Sequence, residues 1–245
     1  MTYVKDGERI DDLEINGFRI IQNPLFFCFG QDSVLLSDFA TVRKGSRCVD
    51  LGTGTGIIPL LMAAKCKGAD WTGLELQEEV AEMAARSVQM NKAEDVCHIE
   101  VGDIRCIPKE WRGAYDTVTC NPPYVRRDSG LKNISETKLI SRYEVTVTLR
   151  EVVEAAAYIL KDKGNLAMIH RPQRLTEIME ECTSHGLEVK RLRLVQPYID
   201  KEPNMVMIEA VKGGGRETRV LPTLIIYNKD GSYTEEVLKI YGKCS

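Results

Sequence analysis

The sequence predicts an α/β protein with a largely parallel sheet. Two observations carry this: short β-branched runs alternate with segments of helical spacing, and a glycine-rich turn directly follows the first strong run. RCVDL (47–51) precedes an apolar helical stretch. DWTGLEL (70–76) precedes QEEVAEMAARSVQMNK (77–92), VCHIEV (96–101) leads into a short link, and YDTVTC (115–120) runs into a long insert. EVVEAAAYILKD (151–162) has helical spacing and is expected to stop at Gly164, NLAMIH reads as a buried strand, and RLTEIMEECTSH as a helix stopped by Gly186. VKRLRLVQ and MVMIEAV supply two last strands. In such a sheet, ligands sit at the carboxyl ends of the strands, so the site is expected where strands end.

Composition narrows the classes. The chain has 245 residues, 43% of them hydrophobic, enough for one core, and a formal charge of −3, so any basic surface must be local. Its longest apolar stretch, IIPLLMAA (57–64), is too short to span a bilayer. Cys28, Cys48, Cys66, Cys97, Cys106, Cys120, Cys182 and Cys244 stand singly, with no CxxC pair, and MTYVKDGERIDD has no apolar signal core. Free thiols, no metal, no membrane and a reducing cytoplasm are the expectation. KGGGRE (212–217) is the only linker-like stretch, and the residues after it read as one strand, a turn over 228–231 and a closing amphipathic segment.

The turn after the first strand is DLGTGTG, from Asp50 to Gly56. Glycines there let the backbone approach a ligand, and the helix that follows offers free N–H groups. The spacing is GxGxG, not the GxGxxG of a nicotinamide dehydrogenase. Glu75 ends the next strand, where a carboxylate can accept both hydroxyls of a ribose, and Asp103 ends the third, within reach of an adenine amino group. Each alone is commonly a solvated strand end or a cap; three in order are less easily accidental.

This series resembles that of the class I S-adenosylmethionine-dependent methyltransferases, whose fold is a Rossmann-like, seven-stranded, mostly parallel sheet with its last strand antiparallel. The resemblance implies S-adenosyl-L-methionine as cofactor. Gly52, Thr53, Gly54 and Gly56 would approach its amino-acid part, Glu75 would hold the ribose, and Asp103 the adenine, sandwiched by Leu76 and Ile104. It also implies that FGQD (29–32), with Gln31 and Asp32, closes over the methionine end, although Asp32 could equally be a helix N-cap. The implied domain runs over 32–211, after an N-terminal extended segment (1–31) and before a C-terminal appendage (212–245).

NPPY (121–124) follows the fourth strand, at the carboxyl end beside that cofactor. Each proline fixes its own φ, biases the residue before it to an extended conformation and lacks an N–H, so Asn121 and Pro122 form a stiff rim of acceptors. An exocyclic amine donating to the Asn121 side-chain oxygen and the Pro122 carbonyl has its nitrogen drawn out of conjugation. Tyr124 offers a ring for a planar base to stack on. The motif resembles the amino-methylating branch, whose acceptors include adenine N6, guanine N2 and a glutamine amide, and NPPY alone does not choose among them.

The flanks choose. Asp50 is preceded by 49 residues, too few for the helical substrate domain associated with glutamine methyltransferases. FGQDSVLLSDFA, IHRPQRL, EPNMVMIEAVKGG and PTLIIYNKDGSYTEEVLKIYG, together with NPPY, resemble nearly end to end a bacterial tRNA adenine-N6-methyltransferase family acting beside the valine tRNA anticodon. The resemblance implies Asn121, Pro122 and Tyr124 as catalytic residues, and a tRNA contacted by Pro123, Tyr124, Arg126, Arg142 and Arg171. Tyr143 and Gln196 stand where a histidine is expected. Alternatives are a methyltransferase for rRNA guanine N2 or a protein glutamine amide, an inactive S-adenosylmethionine-binding module, disfavoured by the intact NPPY, and a dehydrogenase, disfavoured by the loop spacing. His170 reads as a packed or capping histidine.

Overall fold

A computed structural model describes residues 3–26, 28–65, 68–122 and 147–243. The elements are β1 (Arg9–Asp12), β2 (Arg19–Gln22), α1 (Gln31–Phe39), β3 (Arg47–Leu51), α2 (Ile57–Ala64), β4 (Asp70–Glu75), α3 (Glu78–Met90), β5 (Cys97–Val101) and β6 (Tyr115–Cys120). After the insert come α4 (Leu149–Ile159), β7 (Leu160–His170), α5 (Leu175–Ser184), β8 (Leu187–Gln196), β9 (Met205–Lys212), β10 (Arg219–Val220), β11 (Leu224–Ile225) and α6 (Glu235–Ile240).

The core sheet runs β5-β4-β3-β6-β7-β9-β8, with β9 antiparallel to both neighbours and every other pair in it parallel. These are the expected seven strands. Two short strands, β10 and β11, extend the edge by pairing parallel with β8, making nine. One face packs on Leu35 and Leu36 of α1, Ile58 and Leu61 of α2, and Val237 and Ile240 of α6; the other packs on Val152 and Ile159 of α4 and Ile178 and Cys182 of α5. The segment expected as an appendage thus contributes buried side chains to the main core.

Local chemistry explains the boundaries. β3 is buried over Cys48 to Leu51, as a central parallel strand covered on both faces requires, and α2 is apolar nearly all round for the same reason. α4 starts at a capping box: the Thr148 hydroxyl accepts from Glu151 N (3.3 Å), and the Glu151 carboxylate accepts from Thr148 N (2.7 Å). It ends at Ile159, not at Gly164, because Leu160 pairs with Tyr115 at the start of β7 and a bulge follows. The turn needs Lys163 at φ +62°, and at Gly164 a Cβ would come within 2.9 Å of the Lys161 carbonyl oxygen. α5 stops at Gly186, φ +75°, as expected.

Before α1, β1 and β2 form an antiparallel hairpin lying on α3. Arg86 of α3 holds it, its Nη2 2.6 Å from Glu8 Oε1 while its Nε pairs with Glu82 at 2.9 Å.

Candidate cofactor and methyl-acceptor site

The site is assembled at the carboxyl edge of β3, β4 and β6. Gly52 and Thr53 both donate their N–H to the Leu74 carbonyl (2.9 and 3.0 Å), so the glycine turn is stitched to the end of β4. Gly52, Gly54 and Gly56 all have positive φ (71°, 56° and 80°), which a side chain would strain. Behind the turn Gly73 is needed too, since a Cβ there would stand 2.7 Å from Thr53 Cγ2.

Glu75, only 6% exposed, accepts Gly54 N on one oxygen (2.9 Å) and Gln77 N on the other (3.0 Å). Burial raises its pKa, and those backbone donors oppose the rise. Ile104 borders the turn: a Cβ on Gly52 would lie 3.9 Å from its Cδ1. Leu76 is 40% exposed. Asp103 caps a short 3-10 turn, and Arg105 grips its carboxylate (Nε to Oδ1, 2.9 Å), holding its pKa below the usual range.

Asp50 sits beneath the turn, buried, accepting a hydrogen bond from Thr119 Oγ1 at 2.7 Å. Burial pushes its pKa up to about 7, and the Glu75 charge adds to this while the Thr119 hydroxyl opposes it. A carboxyl whose folded value exceeds its unfolded value of about 4 favours the fold fully below that unfolded value, a contribution lost as pH rises through about 7. Asp50→Asn, which cannot ionise, is therefore expected to gain thermal midpoint relative to the parent as pH rises from about 4 to about 8. A constant difference between the two proteins across that window would remove the titration from Asp50.

Asn121 follows β6 directly, and its Nδ2 donates to Ser33 Oγ in the first turn of α1 (3.1 Å), with Ser33 itself 3% exposed. This bond joins the end of β6 to the start of α1 and orients the amide. Pro122 is buried beside it. In α1, Gln31 lies beside Tyr241, and its Nε2 is buried with no hydrogen-bond partner among the described residues. Asp32 is not the helix cap: Gly30 holds that position, and Asp32 Oδ1 accepts from Ser33 N at 2.9 Å.

Arg171, just past β7, reaches the Asn204 carbonyl (3.4 Å). His170, at the end of β7, accepts Arg171 N on Nδ1 at 2.7 Å and is buried, with its pKa pulled down to about 4 by that burial and by Arg174. Pro123, Tyr124, Arg126, Arg142 and Tyr143 lie outside the described residues. The site thus brings together Gln31, Asp32, Asp50, the glycine turn, Glu75, Ile104 and Asn121. Sequence reasoning missed Ser33, Gly73 and Thr119. Ser33 had a faint signal, a hydroxyl inside FGQDS; Gly73 and Thr119 matter only through register, each standing opposite Asp50 on a flanking strand.

The residues fit S-adenosylmethionine on their own chemistry: a buried carboxylate at the end of β4, a turn where a Cβ on Gly54 would meet nothing within 4 Å, and an orphaned amide nitrogen on Gln31. Strand order, antiparallel β9 and this site define a class I S-adenosylmethionine-dependent methyltransferase. Residues 29–191 match the methyltransferase small domain model, and the chain belongs to that family. It is 28% identical over 239 residues to a Porphyromonas gingivalis tRNA1(Val) (adenine(37)-N6)-methyltransferase, covering 94% of this chain and 93% of that protein. A Proteus mirabilis protein of the same name is 26% identical over 235 residues, covering 95% and 92%. Among solved structures, a predicted O-methyltransferase from Agrobacterium tumefaciens superposes with a TM-score of 0.70 at 22% identity, covering 87% of this chain and 96% of that one.

Among the described residues no helix is long and apolar enough to cross a membrane, and no group of three or more His, Cys, Asp or Glu is placed to hold a metal.

Proposed function

We propose that this methyltransferase modifies the exocyclic N6 of an adenine in a tRNA, beside the anticodon of a valine tRNA, in the cytoplasm. The observation that carries this is the reach of the likeness: relatives bearing that activity in their names match over more than nine-tenths of both chains, well beyond the cofactor half. Bound S-adenosylmethionine supplies an electrophilic methyl group. The chain's own residues place the acceptor. Asn121 Oδ1 and the Pro122 carbonyl accept the two hydrogens of the amine, which turns the nitrogen lone pair out of the ring system. Ser33 keeps the Asn121 amide in register for this. Positioning of this kind accounts for much of the rate, since well-oriented reactants gain on the order of 7–11 kcal/mol over a bimolecular encounter.

In this proposal Tyr124 stacks the base, Pro123 stiffens the rim, and Arg126, Arg142 and Arg171 meet phosphates. Glu75 takes the ribose, Asp103 the adenine amine, Leu76 and Ile104 the ring faces, and Gln31 and Asp32 the methionine end. An anticodon-loop base is already outside a regular duplex, so extracting it costs little.

The test is incubation with methyl-labelled S-adenosylmethionine and, in parallel, total tRNA, rRNA and protein extract from cells lacking the gene, followed by mapping of the labelled nucleoside or residue. N6-methyladenosine in tRNA is expected. Label confined to rRNA guanine or to a protein glutamine would overturn the substrate while leaving the fold and cofactor in place.

A further inference from the structure

The loop between β8 and β9, residues 197–204, is held far more tightly than a surface connection requires. Gln196 Nε2 donates to the carbonyls of both Tyr198 and Ile199 (2.8 Å each). Lys201 N bonds the Tyr198 carbonyl (3.1 Å), Asn204 N bonds Val195 O (3.0 Å), and Tyr227 N bonds Pro197 O (2.9 Å). A column of rings stands behind it: Tyr198, Tyr227, Tyr233 and Tyr241 follow one another at centroid spacings of 5.4, 5.4 and 5.5 Å, the last two pairs stacked within 15° of parallel. Tyr241, at the end of the column, lies beside Gln31 of α1.

What this scaffold presents is an apolar tip, Ile199, 67% exposed beside half-buried Tyr198. Single exposed apolar residues are ordinary; this one stands on a loop bonded to its own strand and backed by aromatic rings. The position is also particular. β8 runs in the same direction as β6, since both β7 and β8 are antiparallel to β9, so the loop opens on the methyl-acceptor edge. Three strand spacings, about 14 Å, separate β8 from β6 across the sheet, and between them Arg171, just past β7, bonds the Asn204 carbonyl ahead of β9. The loop's exposed charges, Asp200, Lys201 and Glu202, sum to −1, which disfavours a phosphate.

Resting on the RNA reading above, we infer that the Gln196-clamped loop is a second RNA contact, in which Ile199 and the edge of Tyr198 take the face of an unpaired base flanking the target adenine. It acts in substrate binding, not in methyl transfer. With tRNA as substrate, Ile199→Ser raises KM about fivefold, the order expected from returning to water the apolar surface that a base would cover. Ile199→Phe, which enlarges the apolar face, keeps KM at or below the parent value. In both variants kcat, cofactor affinity and thermal midpoint stay as in the parent, because the side chain is mostly solvent-exposed. Filter binding of tRNA should follow KM. An unchanged KM in Ile199→Ser, or a fall in its kcat instead, would overturn the inference. A parent protein that methylates no tRNA would instead overturn the function on which the inference rests.

Discussion

Asn121→Ala is expected to lower the single-turnover methyl-transfer rate by about a hundredfold or more, the usual cost of removing one preorganised hydrogen-bonding group from a reacting centre, while cofactor affinity stays within a few-fold. The amide is fixed by Ser33 through Nδ2, so the group the substitution deletes is an acceptor already oriented before substrate arrives. The strand preceding it is buried from Thr117 to Cys120, so the rim has little freedom to compensate. Ser33→Ala should give a smaller loss, because it leaves the acceptor present and only unties it. Rapid-quench assays alongside calorimetry separate the two effects. Equal losses of rate and cofactor affinity in Asn121→Ala would make Asn121 a cofactor ligand, and the acceptor-rim argument would fall.

That the sequence places these residues at neighbouring strand ends has a physical basis. Asp50, Gly52, Gly54, Gly56 and Glu75 lie at the ends of two adjacent strands, and a parallel sheet brings consecutive strand ends together by construction. Asn121 is legible for the same reason, with two prolines marking where its strand must stop. Ser33 is not, because it meets Asn121 across 88 residues through a helix start whose placement no local periodicity reveals. Gly73 and Thr119 look like ordinary strand residues until the register sets them opposite Asp50. The Leu160 boundary was missed because AAAYILKD keeps helical spacing past the point where pairing with Tyr115 takes over. At the C-terminus, the apolar run LIIY marked a strand, but nothing local said that it would extend the main sheet beside β8 or that Ile226, Val237 and Ile240 would enter the core. Tertiary pairing decides such cases, and it is not written in any short window of sequence.

Glu75→Ala is expected to weaken S-adenosylmethionine binding at least tenfold. Hydrogen bonds to a charged acceptor are worth roughly 1.5–3 kcal/mol each, so losing even one of two to a ribose suffices. The carboxylate also takes the N–H groups of Gly54 and Gln77 and so holds the glycine turn against the start of α3. The alanine variant loses both functions, whereas Glu75→Gln keeps one oxygen to accept and should fall between the two. Because the proposed contact is to the ribose and not to the methyl, the loss should extend to S-adenosylhomocysteine, which shares the ribose and lacks the methyl. Calorimetric titration of each ligand reads this directly. An alanine variant that binds both ligands as tightly as the parent would remove the ribose from Glu75 and leave it only the role of bracing the turn.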